Sequence, residues 1–228
     1  MNLSCKEYLR QTPVFSDLSD GELEEIVPFM VKRKLRKDTV IFHEGDPAAA
    51  FYLVKTGRVK IYKVSHEGRE QVLAIIDSGQ IFGDVPMFDG GPYPASAATM
   101  VDSEIYLIRR DDFQDLLKRH PEIALKIISV LGARLRQALE LIRDLSFKQV
   151  PHRLAGLLLK LADRYGKEAD GRVRIDLPLS RKDLADIAGT SRETVTRELK
   201  RIERAGLIEV DRRRIAIVDR EGLERWAR

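Results

Sequence analysis

The strongest chemical signal in the sequence is the group Ser191, Arg192, Glu193, Thr194 and Arg197. These residues follow Gly189 and interleave with Val195, Leu199 and Ile202, which recur at helical spacing. A helix of that pattern buries the apolar set and turns the polar set outward. An arginine fork takes two acceptors of guanine, and a glutamate accepts from the amino group of cytosine. Lys200 and Arg201 lie further along and are placed for phosphates, as is the arginine run 212–214.

Other reactive side chains are sparse. The histidines are His43, His66, His120 and His152, and no two lie within twenty residues of each other. His43 and His66 fall at turn-like sites, His120 precedes Pro121 at a helix start, and His152 sits at a hinge. Each reads as an exposed or capping residue, so no metal-ligand set is expected. A metal-dependent β-helix enzyme would need clustered ligands such as His-x-His. Neither a Gly-x-Ser-x-Gly nucleophile nor a Walker loop is present, so no catalytic residues are expected. Cys5 is the only cysteine and cannot hold a disulfide framework, an iron–sulfur cluster or a four-cysteine zinc. Haem needs one or two axial ligands, so a histidine-ligated haem stays open as a cofactor.

Several elements must position the polar helix. The chain has 228 residues, 43% apolar and 33% charged, with net charge +4. That length allows one or two domains. Residues 151–228 carry 19 Lys and Arg against 14 Asp and Glu, so the positive excess lies in the last third. That balance suits a polyanion partner for that part, or a solvated arginine-rich surface. No apolar run approaches a membrane span of about 20 residues, and the charged first twenty residues contain no signal-peptide core. A soluble, cytoplasmic protein with no membrane partner is expected.

Residues 1 to 29 read as two helical pieces, the second opened by a Ser19–Glu22 capping box. From 31 to 110 the period shortens to strands: 40–42, 51–54, 58–64, 71–76 and 104–108, split by Gly- and Asp-rich turns. Many short strands at this spacing predict an antiparallel roll or barrel. A long helix then starts at Pro121. Along it Ala124, Ile128, Leu131, Leu135, Ala138, Ile142 and Leu145 form a 4-3-4-3-4-3 seam suited to a second copy of the chain. Ile123, Ile127 and Val130 form a second stripe that suits packing on the roll. After a hinge at 147–150 come a helix to Tyr165, a loop over 166–172, and a strand over 173–179. Two helices split by Gly189 follow, then strands 207–210 and 215–218. Helix, turn, helix and hairpin make a winged helix-turn-helix.

At this point the chain resembles bacterial transcription regulators of the cyclic-AMP receptor / fumarate-nitrate-reduction regulator (CRP/FNR) family. The resemblance runs over nearly the whole chain. It rests on residues 15–19, 40–48, 51–63, 81–99, the helix after 120–122, 153–155 and 179–209. It implies an α+β fold: a cyclic-nucleotide-binding-like β-roll (jelly roll) over 1–120, a dimerisation helix over 121–146, and a winged helix-turn-helix over 147–228. The implied partners are double-stranded DNA, a second copy of the chain, an unidentified small-molecule effector and, for an activator, RNA polymerase. Ser180, Thr190, Thr194, Thr196 and Arg213 join the DNA-facing set. Ile128, Leu131, Leu135, Ala138, Ile142 and Leu145 become the dimer contacts.

The segment from Gly83 to Thr99 resembles the family's phosphate-binding cassette. The implied effector pocket is Gly83, Asp84, Val85, Met87, Tyr93, Pro94, Ala95 and Ser96, with Leu135, Ala138 and Leu139 from the long helix. Nucleotide binders carry Gly-Glu at the start of this cassette and Arg-Ser near its end. Here Gly83–Asp84 holds a shorter acid, and Tyr93–Pro94, or the pair one residue later, takes the place of Arg-Ser. The cation is lost, and Pro94 has no N–H to donate. Ala138 and Leu139 replace hydroxyls that would meet the base. Ser96 and Thr99 are the remaining polar groups. Cyclic AMP is therefore not the expected effector. The alternatives are a haem that senses nitric oxide or carbon monoxide, and a cyclic nucleotide held by an atypical cassette. The expected DNA site is a palindrome with half-sites resembling TGTGA or TTGA, about one helical turn apart.

Overall fold

In the computed structural model, which describes residues 5–16, 18–169, 171–177, 179–211 and 214–227, Ser19 caps a helix as its spacing with Glu22 predicts. Its Oγ accepts from Glu22 N, and Glu22 Oε2 accepts from Ser19 N at 2.7 Å. The N-terminal helices are α1 (Cys5–Gln11) and α2 (Asp20–Ile26), followed by a 3₁₀ turn over Val27–Phe29. Then come β1 (Val31–Leu35), β2 (Val40–Phe42), β3 (Ala50–Thr56), β4 (Arg58–Val64), β5 (Glu70–Asp77) and β6 (Ile81–Phe82). A short helix, α3 (Val85–Asp89), precedes β7 (Ser96–Thr99) and β8 (Ser103–Arg109).

These strands make two four-stranded sheets, ordered β1-β8-β3-β6 and β2-β7-β4-β5. The central strands of the first sheet, β8 and β3, are covered on both faces. Phe51 and Leu53 of β3, with Tyr106 and Ile108 of β8, pack into a core shared with α1, α2, Phe113 and the start of the long helix. Their alternates Val54 and Ile105 pack into a second core with Phe42, Val59, Phe82, Tyr93 and Ala97. Strand side chains alternate between faces, so a strand buried on both sides must be apolar throughout. That accounts for the unbroken apolar runs at 51–54 and 105–108.

Helix α4 (Arg110–Arg119) leads into α5 (Pro121–Phe147), 27 residues and so about 40 Å long. Ile123 and Ile127 are fully buried in the first core, and Val130 packs against it. The second stripe thus packs on the roll. The chain forms two compact units whose division falls within α5, between Gln137 and Ala138, with Ser65–Gln71 counted in the second.

The second unit continues with α6 (Val150–Tyr165), β9 (Gly166–Ala169), β10 (Arg172–Ile175), α7 (Arg181–Ala188) and α8 (Arg192–Arg204). It ends with β11 (Ile208–Asp211), β12 (Arg214–Ile217) and α9 (Arg220–Trp226). The sheet order is β11-β12-β10-β9. One expectation is corrected here. Residues 166–172 are not a plain loop, because Gly166–Ala169 pairs antiparallel with Arg172–Ile175. The hairpin is polar, with Lys167, Glu168 and Arg172 exposed, and so lacks the apolar alternation that marks a strand. The fold is α+β: β-roll, long helix and winged helix-turn-helix.

Candidate nucleic-acid interface and effector cassette

The helix-turn-helix is built from its caps. Ser180 Oγ accepts from Asp183 N at 3.1 Å, and Asp183 Oδ2 accepts from Ser180 N at 2.7 Å, which opens α7. Gly189 ends that helix at φ 64, a left-handed conformation in which a side chain would be strained. Ser191 then caps α8 by accepting from Thr194 N at 3.2 Å. Val195, Leu199 and Ile202 are buried, which fixes the roll of α8 and leaves Arg192, Glu193, Arg197, Lys200 and Arg201 exposed on the other face.

Of the expected DNA-facing residues, Ser191, Arg192 and Glu193 stand together at the exposed N-terminus of α8. The Glu193 carboxyl lies below its ordinary range, because its own backbone N–H and the Ser191 hydroxyl bond the charged form. Thr190 and Thr194 are half-buried, and the Thr196 hydroxyl donates back to Arg192 O at 2.8 Å. Ser180 is half-buried, with its hydroxyl held in the α7 cap. Arg213, with its neighbour Arg212, lies outside the described residues.

Two residues of this unit were not anticipated as parts of the site. Arg153 of α6 donates from Nε to Ala188 O at 3.0 Å and from Nη2 to Gly189 O at 3.1 Å. Its Nη1 donates to Lys148 O at 2.7 Å. One guanidinium thus closes the C-terminus of α7 and holds the segment before α6. The other is Glu198, buried on the inner face of α8. Arg197 Nε donates to its Oε1 at 3.1 Å, and Arg201 Nη1 lies 3.6 Å from its Oε2. Position 198 falls one residue from Leu199 on the apolar stripe, so a charge there was the available signal.

The cassette in the first unit has its own geometry. Asp84 is buried, and Arg134 of α5 donates to its Oδ1 at 2.6 Å and also bonds Ile81 O. The cassette therefore contains a cation after all. It comes from the long helix one residue before Leu135, and its charge is matched by Asp84. Gly83 has φ 70, and a Cβ there would lie 3.0 Å from the Tyr52 ring. Tyr93 is buried, stacks on Phe42 at 3.7 Å, and its Oη donates to Ala50 O at 2.6 Å. Its backbone N–H donates to Asp46 O and its carbonyl accepts from Gly45 N.

The other polar groups of the cassette are also committed. Ser96 Oγ accepts from Glu44 N at 2.9 Å, and Thr99 Oγ1 donates to Arg36 O at 2.6 Å. They hold the roll together, so neither makes good the lost arginine. Ala95 is buried, whereas Val85 and Pro94 are exposed. Met87 packs into the core with Phe113. Leu135, Ala138 and Leu139 are exposed on α5. His43 and His66 are exposed and His152 is half-buried. His120 departs from expectation: its carbonyl caps α5 by accepting from Ile123 N, but its ring is buried.

A roll of this kind, carried with a winged helix-turn-helix whose recognition helix is charged and exposed, defines a DNA-binding transcription regulator. Residues 32–120 match the cyclic nucleotide-binding domain, and residues 152–226 match the Crp-like helix-turn-helix domain. The chain is 31% identical over 222 residues to the CRP-like cAMP-activated global transcriptional regulator of Mycobacterium tuberculosis, covering 97% of this chain and 99% of that one. It is 32% identical over 200 residues to the cyclic AMP receptor protein of Thermus thermophilus, covering 88% and 89%. The structure of FixK2 from Bradyrhizobium japonicum superposes with a TM-score of 0.77 at 28% identity, covering 87% of this chain and 98% of that one. The chain belongs to the CRP/FNR family of transcription regulators. No helix among the described residues is long and apolar enough to cross a membrane.

Proposed function

We propose that the protein is a homodimeric, cytoplasmic regulator that binds a palindromic DNA site and responds to an effector other than a cyclic nucleotide. The effector part rests on Tyr93–Pro94, or the pair one residue later, which stands where nucleotide binders of the family carry Arg-Ser, so that in either register the cation is lost. Pro94 is exposed and offers neither charge nor N–H. A buried phosphate without a dedicated cation is poorly compensated. Arg134 supplies no spare charge, since Asp84 already neutralises it. Asp84 Oδ2 is buried without a hydrogen-bond partner, so it marks the place for a donor group of the effector.

The dimer part rests on α5. Leu125, Ile128, Leu135, Leu139 and Ile142 are each more than half exposed, an apolar stripe that a second copy would cover. An effector acts on such a dimer by binding one pairing of the helices more tightly than the other. The hinge at 147–150 then passes the change to the winged helices.

Titration calorimetry with cyclic AMP tests the effector assignment. No heat of binding at micromolar concentration, and no change in DNA affinity, is the expected result. A clear micromolar isotherm would overturn it.

A further inference from the structure

A second cluster of ligating side chains lies away from both the DNA-facing helix and the cassette, where α2 meets the start of α5. His120 Nδ1 lies 3.4 Å from Glu22 Oε1 and 3.3 Å from Glu122 Oε1. All three ligand atoms fall within 4.8 Å of one another. A four-coordinate ion with bonds of about 2.0–2.1 Å has ligand–ligand edges of about 3.3–3.4 Å. The two edges that meet at His120 have that length.

The surroundings favour a cation. The His120 side chain is only 9% exposed, and its Nε2 is buried without a hydrogen-bond partner. That nitrogen faces Glu25 Oε2 at 3.6 Å, and Arg119 Nη1 holds the same carboxylate oxygen at 2.6 Å. Metal-bound histidines commonly send their second N–H to such a carboxylate. Coordination at Nδ1 would fix the proton on Nε2 and supply the partner it lacks. Glu22 is likewise half committed. Its Oε2 belongs to the α2 cap, which leaves Oε1 turned toward His120. Among the described residues, the carboxylates of Glu22, Glu25 and Glu122 surround the imidazole, and Arg119 pairs with that of Glu25.

We propose that Glu22 Oε1, His120 Nδ1 and Glu122 Oε1 bind a divalent first-row transition-metal ion, best matched by Zn²⁺, with water as the fourth ligand. One imidazole and two carboxylates form a nitrogen–oxygen donor set that suits this ion. The ion would tie the N-terminal helix to the base of α5. The proposal stands apart from the assignments of effector and dimer.

The test uses metal-free full-length protein titrated with Co²⁺ as a spectroscopic substitute for Zn²⁺. One equivalent per chain should bind, give the intense visible bands of a four-coordinate ion, and be displaced by Zn²⁺. Glu22→Gln and Glu122→Gln should each weaken binding about tenfold or more, and Glu25→Gln about 10–100-fold through the histidine. A His43→Asn/His66→Asn/His152→Asn variant should bind as the parent does. His120→Gln should lose the bands; should it fail to fold, Glu122→Gln carries the test, because Glu122 is exposed on the first turn of α5. Absence of Co²⁺ binding overturns the proposal. So does binding unchanged in Glu122→Gln, or bands that vanish with the other three histidines.

Discussion

Arg192, Glu193 and Arg197 stand exposed on one helix face, and in the proposed function they divide the reading of DNA by chemistry, two donors and one acceptor. Glu193 stays ionised well below neutral pH because its hydrogen bonds favour the charged form, so it acts as an acceptor at physiological pH. Glu193→Ala should cost about 1–3 kcal/mol and relax the preference at one base pair, measured by competition among single-base variants of the site. Lys200 lies two turns along α8, and in the proposed function it meets phosphates. Lys200→Ala should weaken binding to all sequences alike and reduce the slope of log affinity against log salt by about one. A Lys200→Ala variant that altered base preference would contradict the phosphate role. Arg197 is less free than its exposure suggests, since its Nε bonds the buried Glu198.

At the scale of elements, one side chain of α6 bonds the turn that precedes the recognition helix. Arg153 bonds the carbonyls of Lys148, Ala188 and Gly189, so it links the end of α7 to the segment that enters α6. Arg153→Ala would leave those half-buried acceptors without their donor. It should destabilise the winged helix by about 1–3 kcal/mol, read from denaturant unfolding. DNA binding should fall with it, although Arg153 is not on the DNA-facing surface. The long helix makes a separate prediction. Leu125, Ile128, Gly132, Leu135, Leu139 and Ile142 follow 3-4-3-4-3 spacing, a heptad seam. This exposed stripe is rotated slightly from the expected one, because Leu131 leans onto the roll core and Leu139 lies outward. Leu135 belongs to both registers. Leu135→Asp should place two carboxylates against each other in an apolar seam and give a monomer with strongly weakened DNA binding. Sedimentation showing an unchanged dimer would refute the seam.

At the scale of the whole molecule, the proposed two-fold pair of chains would present two recognition helices and so require a two-fold symmetric site. Binding-site selection should return a palindrome with half-sites resembling TGTGA or TTGA, their centres about one helical turn apart. An asymmetric motif would count against both the dimer and the assignment of Arg192 and Glu193 to base edges. The same experiment on Leu135→Asp should recover no palindrome, because a lone winged helix reads one half-site.

What the sequence determined by itself was whatever short-range chemistry encodes. Ser19–Glu22 and Ser180–Asp183 specify caps through bonds three residues apart, and Gly189 specifies a left-handed turn. The doubly buried strands β3 and β8 declared themselves through unbroken apolar runs, and the recognition helix through its stripe of Val195, Leu199 and Ile202. Some strands without that signature were silent. β1 is almost wholly exposed, β7 is the small-residue run SAAT, and β9 is polar. β1 and β7 take their pairing from strands distant in the chain, and β9 takes its pairing from the adjacent β10. Tertiary structure alone decided where long-range polar partners meet. Arg134 reaches Asp84 from fifty residues away, Arg153 reaches Gly189, and Glu22 reaches His120. No periodicity or spacing could announce these contacts. A charged side chain finds its partner by the geometry of packed helices and sheets, and that geometry exists only once the apolar cores have formed.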